Sequence, residues 1–263
     1  MFDKNFLAGK TGIVTGGGSG IGLAIVRYLV AHGAAVTITG RNGEKLAAAA
    51  ADVGPAVGYH AGDVRDADQV AANLEHHLAA HSKVDFLINN AAGNFLCPME
   101  KMSENAFMAV MNIVAKGTFL WSKAVFPHMK AAGSGRIINI GATYSWTQGA
   151  NVAHSGAAKA AVLNLTRTMA VEWGPHGIRT NLIAPGAVEG TEGVKRLTPE
   201  GGSPKLLNNL IPVSRMAKGA EIAALAAFLL SPMADYINGA AIPVDGGAHL
   251  TVPGLLPPGF SID

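Results

Sequence analysis

The chain has 263 residues, 49% apolar and 14% charged, which excludes a disordered chain and supplies enough apolar material for a sizeable core. Its formal charge of +2 is scattered, with no basic run, so nucleic acid is not an expected partner. The longest apolar stretches are helix-sized and broken by Gly, Lys or Arg, the opening MFDKNFLAGK has no apolar signal core, and one cysteine, Cys97, excludes an internal disulfide; a cytoplasmic protein without a membrane span is expected.

Taken in chain order, short β-branched runs alternate with longer amphipathic ones. Thr11–Thr15, Ala35–Thr39, Phe86–Asn89, Arg136–Ile140 and Thr180–Ile183 read as buried strands. Residues Ile21–His32, Glu44–Asp52, Ala67–His81, Glu104–Met129, Ser155–Trp173 and Ala220–Leu230 repeat apolar residues at three and four and read as helices. Strands that are apolar throughout, alternating with helices, describe an α/β fold with a parallel sheet covered on both faces. No linker or repeat interrupts the alternation, so residues 1–263 read as a single doubly wound Rossmann domain. From about Val188 to Val213 the alternation breaks into Gly, Pro and polar residues, the signature of a lid or substrate loop.

The first strand runs directly into Gly16-Gly17-Gly18-Ser19-Gly20-Ile21-Gly22, where a helix begins. Glycines at 16, 20 and 22 allow a tight turn, a close approach to a pyrophosphate and close helix packing, while the N–H groups at the helix start face the anion. The second strand ends in Thr39-Gly40-Arg41, with no carboxylate to accept from ribose hydroxyls. Arg41 offers a planar cation for a 2′-phosphate, which favours NADP(H); its other reading is a solvated surface arginine. Asp63-Val64 ends the third strand, where the acid could accept from the adenine amine.

TGGGSGIG at 15–22, NNAAG at 89–93, Lys159 in a helix, PG at 185–186 and DGG at 245–247 together resemble the short-chain dehydrogenase/reductases over nearly the whole chain. The resemblance implies a seven-stranded parallel sheet, a homotetramer built through the two long helices, and cofactor contacts from Gly16, Ser19, Gly20, Ile21, Asn90, Lys159, Pro185, Gly186 and Thr191. It also exposes a departure. Ketone-reducing members carry Tyr four residues before the Lys and Ser thirteen residues before that Tyr; this chain has Ser155 and Ala142. An aliphatic hydroxyl is a far weaker acid than a phenol, so ordinary carbonyl reduction is not expected.

AAGNFLCP at 91–98, AVEWGP at 170–175 and GTEGVKRL at 190–197 resemble the 2,4-dienoyl-CoA reductase branch, mitochondrial and peroxisomal, of that family. In the mitochondrial type a Tyr lies fifteen residues before the Lys, the position of Tyr144, and a Ser lies four before it. The resemblance implies that Asn94 and Tyr144 hold the thioester oxygen of an acyl-CoA substrate, that Ser155 and Lys159 order cofactor and water, and that Arg65, Phe95, Ser103 and Arg196, with Lys195, contact the substrate. At Asn112 both dienoyl-CoA reductase types carry an acid, whereas the wider family has Asn, which supports a helix kink and a water in the proton path. The chemistry agrees with a displaced acid: hydride delivered to the far carbon of a conjugated dienoyl thioester sends charge to the thioester oxygen, so donors belong around that oxygen.

Plainer readings stand beside these. Tyr144 could be a packed loop aromatic, Asn94 a turn residue satisfying backbone groups, Ser155 a helix cap, and Arg65 the partner of Asp66 or Asp68 at a helix start. His76, His77 and His81 read as a polar helix face, with no acid or cysteine to complete a metal set; Cys97 reads as a buried thiol; Met99, Met102, Met108 and Met111 read as core. A reductase of another carbonyl substrate and a cofactor-binding protein without turnover remain alternatives. The tail Leu250–Asp263, Pro- and Gly-rich, is expected to order against a neighbouring subunit, and its ending is not a peroxisomal address.

Overall fold

The computed structural model describes residues 4–197 and 208–251. Its strands are β1 (Thr11–Thr15), β2 (Ala35–Gly40), β3 (Val57–Ala61), β4 (Phe86–Asn89), β5 (Gly135–Ile140), β6 (Ile178–Pro185) and β7 (Ala241–Val244). All pair in parallel, in the order β3-β2-β1-β4-β5-β6-β7. The order reverses between β1 and β4, and such a switch point opens a crevice beyond the carboxyl ends of the two strands.

Alternation along the strands explains the two covered faces. Val14, Ile88, Ile138 and Ile183 enter one core with α1 (Gly20–Ala31), α2 (Gly43–Val53) and α8 (Gly219–Leu230). Their neighbours Ile13, Leu87 and Ile137 point the other way, against α3 (Ala67–His81) and α5 (Gly117–Ala131). Leu182 and Ala184 do the same against α4 (Glu104–Met111) and α6 (Ala153–Trp173). Period-two side chains that are apolar on both faces leave a parallel sheet no choice but burial on both.

The helix expected over Glu104–Met129 is interrupted. A π-helical stretch, Asn112–Lys116, separates α4 from α5. One extra residue per turn shifts the helix face, and Ile113 within it reaches the cavity at the switch point. This stretch begins at Asn112, the residue that the resemblance associates with a helix kink. The third strand ends at Ala61, two residues before Asp63, with Gly62 N–H still donating at 2.9 Å to the Gly40 carbonyl at the end of β2. The irregular segment contains a short helix, α7 (Glu192–Leu197); its centre, 198–207, and the tail beyond Thr251 lie outside the described residues, as does the expectation that the tail orders on a neighbour.

Several surface expectations change. His77 faces inward: it is fully buried, its Nδ1 lies 2.8 Å from Thr37 Oγ1 on β2, and its Nε2 lies 3.0 Å from the Lys83 carbonyl. Burial lowers its pKa to about 4. Met99 and Met108 are exposed rather than core, and Cys97 is half-buried. Among the described residues no group of His, Cys, Asp and Glu is arranged to hold a metal ion, and no helix is long and apolar enough to cross a membrane.

Candidate active site

A cavity of about 700 Å³ opens at the switch point. The glycine turn forms one wall. Gly16 and Gly20 have φ of +65° and +53°, and a Cβ on Gly22 would lie 2.5 Å from the Gly16 carbonyl oxygen, so side chains are excluded where the backbone must come close. Ser19 is the N-cap of α1 without using its side chain as a cap, and no acid occupies the first turn, which leaves the N–H groups there available to an anion. Asn90 braces this turn from behind: its Nδ2 donates to the carbonyls of Thr15 at 2.9 Å and Gly16 at 3.2 Å.

Ser19, Ile21, Arg41, Asp63, Val64, Asn90, Pro185, Gly186 and Thr191 all line the cavity, as the sequence leads one to expect of a dinucleotide site. Thr191 holds the start of α7, donating to the Val188 carbonyl at 2.8 Å and accepting from Val194 N–H at 3.3 Å. Arg41 makes no hydrogen bond or ion pair among the described residues; its charge stands at the cavity edge, where it helps lower the Asp63 pKa. Lys45, in the first turn of α2, lines the same end, with its ammonium likewise unpaired among the described residues. Motif matching misses Lys45, although its spacing from Arg41 is a usable signal. Two cations without an ion pair among the described residues and a side-chain-free cradle fit a dinucleotide phosphate, and a 2′-phosphate in particular.

The other end holds the reactive hydroxyl. Tyr144 sits in a short 3₁₀ turn, Thr143–Ser145, directly after β5. Its Oη accepts from Ser155 Oγ at 3.2 Å and Asn94 Nδ2 at 3.4 Å. Both lone pairs are thereby engaged, and the phenol's own hydrogen has no acceptor among the described residues. Burial pushes the Tyr144 pKa up, against the opposing pull of the two donors, so the phenol is protonated at neutral pH and able to donate. Ser155 is not a cap: it is the third residue of α6, buried, with its side chain spent on Tyr144. Asn94 satisfies a backbone group, its Oδ1 accepting from Phe95 N–H at 2.9 Å, while its Nδ2 donates to Tyr144 Oη at 3.4 Å.

Lys159, one turn beyond Ser155, is buried, and its Nζ donates to the Ile140 carbonyl. No carboxylate among the described residues pairs with it, and burial lowers its pKa to about 8. Below that pH the cavity floor is cationic; above it the charge is lost. The expected consequence is that affinity for an anionic dinucleotide falls as pH rises through about 8, measurable by fluorescence titration, and that Lys159→Met abolishes this dependence at a uniformly weaker affinity.

Several expected substrate contacts lie elsewhere. Ser103 Oγ caps α4, accepting from Ala106 N–H at 3.2 Å. Arg196 is exposed on α7 and pairs with Glu192 at 3.7 Å, and Lys195 pairs with the same acid at 3.4 Å. Arg65 pairs with Asp63 rather than with Asp66 or Asp68, through Nε bonds of 3.0 and 2.9 Å, because the tight turn brings residues two apart together. That bond holds the Asp63 carboxyl below its usual pKa. Phe95 stands outside the cavity wall with its ring edge-on to His154, centroids 4.3 Å apart. Asn112 begins the π-helical stretch but does not line the cavity.

Parallel order 3-2-1-4-5-6-7 with a glycine cradle at the switch point and a lysine across from it defines a dinucleotide-binding oxidoreductase fold. The family described as enoyl-(acyl carrier protein) reductase matches residues 16–249. A probable 2,4-dienoyl-CoA reductase, (2E)-enoyl-CoA-producing, of Bacillus subtilis (strain 168) is 46% identical over 92% of this chain and 97% of its own. The peroxisomal 2,4-dienoyl-CoA reductase, (3E)-enoyl-CoA-producing, of Mus musculus is 41% identical over 96% and 88%. Among solved structures, a short chain dehydrogenase from Bacillus anthracis superposes with a TM-score of 0.88 at 41% identity, covering 95% of this chain and 99% of that one. A gluconate 5-dehydrogenase from Burkholderia cenocepacia in complex with NADP and tartrate gives 0.88 at 35% identity, covering 95% and 99%. The chain belongs to the short-chain dehydrogenase/reductase family, in its enoyl-(acyl carrier protein) reductase group.

Proposed function

We propose that this protein is an NADPH-dependent reductase of conjugated enoyl thioesters, converting 2,4-dienoyl-CoA to 3-enoyl-CoA in fatty-acid degradation. The observation that carries the reading is the position of Tyr144: a protonated phenol, steadied by Ser155 and Asn94, in a cavity where residues 142 and 155 provide no ordinary carbonyl-reducing Ser–Tyr pair. The names of the relatives at 46% and 41% identity support the same substrate class.

Reduced nicotinamide, when bound, supplies a hydride to the far carbon of the diene. The chain's own residues handle the charge that this transfer creates. As that carbon gains its C–H bond, the π electrons shift along the conjugated system and negative charge collects on the thioester oxygen. Tyr144 O–H and the second Asn94 N–H are the donors that would meet it, worth most where water is excluded. A proton delivered to the carbon next to the thioester then restores the carbonyl and leaves the remaining double bond one position further along. Lys159 would hold the nicotinamide ribose, and Arg41 with Lys45 the 2′-phosphate.

The relatives' names differ over where the double bond ends up, (2E) in one and (3E) in the other. Reduction of 2,4-dienoyl-CoA in heavy water separates them. The expected result is NADPH oxidation with the dienoyl thioester, none with a matched ketone, and deuterium on the carbon next to the thioester. Faster reduction of the ketone would overturn the proposed function. We further propose a cytosolic homotetramer that pairs through α4–α5 and α6, whose exposed Met108, Phe119 and Val171 are apolar, and a single catalytic domain over 1–263 with 188–213 as its substrate-covering segment.

A further inference from the structure

The helix that carries Ser155 and Lys159 starts without the usual cap. Val152 occupies the N-cap position, and it has no side-chain oxygen to accept from the first-turn N–H groups. Two residues on, His154 does this work: its Nδ1 accepts from the Ser155 N–H at 2.9 Å. Nδ1 therefore carries no hydrogen, and the ring's proton sits on Nε2. The ring is completely buried, and Nε2 has no hydrogen-bond partner among the described residues. An apolar side chain of similar size would avoid that unpaired donor, so the imidazole is retained against a local cost, which in folded proteins marks a position serving the site rather than the core.

The same ring touches the other side of the reactive hydroxyl. Phe95 packs edge-on to it at 4.3 Å, and the Phe95 N–H fixes Asn94 Oδ1, turning Asn94 Nδ2 toward Tyr144. His154 thus bonds to the backbone of one Tyr144 donor and packs against the residue that orients the other. We propose that His154 is a positioning residue for the Tyr144 hydroxyl: it replaces the missing cap of α6 and locks Ser155 and Asn94 onto Tyr144 Oη from both sides. This rests on Tyr144 being the donor to the substrate.

The test compares His154→Asn, which can set an oxygen where Nδ1 stands, with His154→Gln, whose polar atoms reach only to the Nε2 side, and with His154→Leu, each alone and combined with Tyr144→Phe. His154→Leu and His154→Gln are expected to lower kcat for 2,4-dienoyl-CoA about 10-fold, with NADPH affinity unchanged, while His154→Asn keeps most of the wild-type rate. In the Tyr144→Phe background none of the three is expected to slow the enzyme further. Equal losses in both backgrounds, or identical rates for Asn and Gln, would overturn the positioning role. Should the Leu variant fail to fold, the Asn and Gln pair carries the comparison. Full activity of Tyr144→Phe alone would overturn the donor reading and this inference with it, whereas a slow Tyr144→Phe with additive His154 losses would overturn this inference only.

Discussion

Tyr144→Phe is expected to lower kcat for 2,4-dienoyl-CoA by about 10²–10⁴-fold, the range for removing a positioned acid or an oxyanion donor. NADPH binding should be unchanged, because the lost hydroxyl lies at the opposite end of the cavity from Arg41 and Lys45. The loss has two parts. The substrate oxygen loses a donor, and Ser155 Oγ and Asn94 Nδ2 lose the acceptor that holds them, at 3.2 and 3.4 Å, in their present places. Stopped-flow kinetics with a separate NADPH titration distinguishes this outcome from a general loss of structure, which would weaken both.

The second large effect is expected at the cofactor's far end. Arg41→Glu should weaken NADPH by about 10- to 100-fold, the value of a lost charge-assisted bond converted to affinity, and should leave NADH binding equal or better. A carboxylate there repels a 2′-phosphate and accepts from a free ribose hydroxyl. Lys45→Ala should add a smaller loss in the same direction. Calorimetric titration with each dinucleotide reads the ratio. A parallel loss for NADH would mean that Arg41 supports α2 or the turn rather than the phosphate.

Much of the architecture is legible in the sequence because its signals are local. Runs such as Thr11–Thr15 and Arg136–Ile140 are apolar on both sides of the strand, which only a covered parallel sheet satisfies. The edges are less readable: in Val-Gly-Tyr-His-Ala of β3 only the Val is buried and the rest are half-buried or exposed, and Ala-Ile-Pro-Val of β7 contains a proline, so neither presents the pattern of a central strand. The π-helical stretch leaves the apolar spacing of Glu104–Met129 intact while shifting the face, which a periodicity count does not detect.

The site divides along the same line. The glycine cradle, Arg41, Asn94, Tyr144, Ser155 and Lys159 meet around one cavity as their motifs imply. Ser103, Phe95, Arg196 and Arg65 do not line it. For three of them a partner two to four residues away engages the side chain, the Ala106 N–H for Ser103, Glu192 for Arg196 and Asp63 for Arg65, whereas Phe95 packs on the distant His154 ring. Such local partners are available to any Ser at a helix start or Arg near an acid, and motif matching does not weigh them. His154 escapes notice for the opposite reason. It lacks a motif, and its role appears only once Val152 is seen to leave a helix start uncapped.

If charge collects on the thioester oxygen as proposed, that oxygen must lie between Tyr144 Oη and Asn94 Nδ2. A crystal structure of the complex with NADP⁺ and a 2,4-dienoyl-CoA would show its place. The carbonyl oxygen is expected about 3 Å from both donors, within ordinary hydrogen-bond range, with the far end of the diene over the nicotinamide. A thioester oxygen directed toward Ala142 or out to solvent, with Tyr144 still bonded only to Ser155 and Asn94, would refute the proposed chemistry.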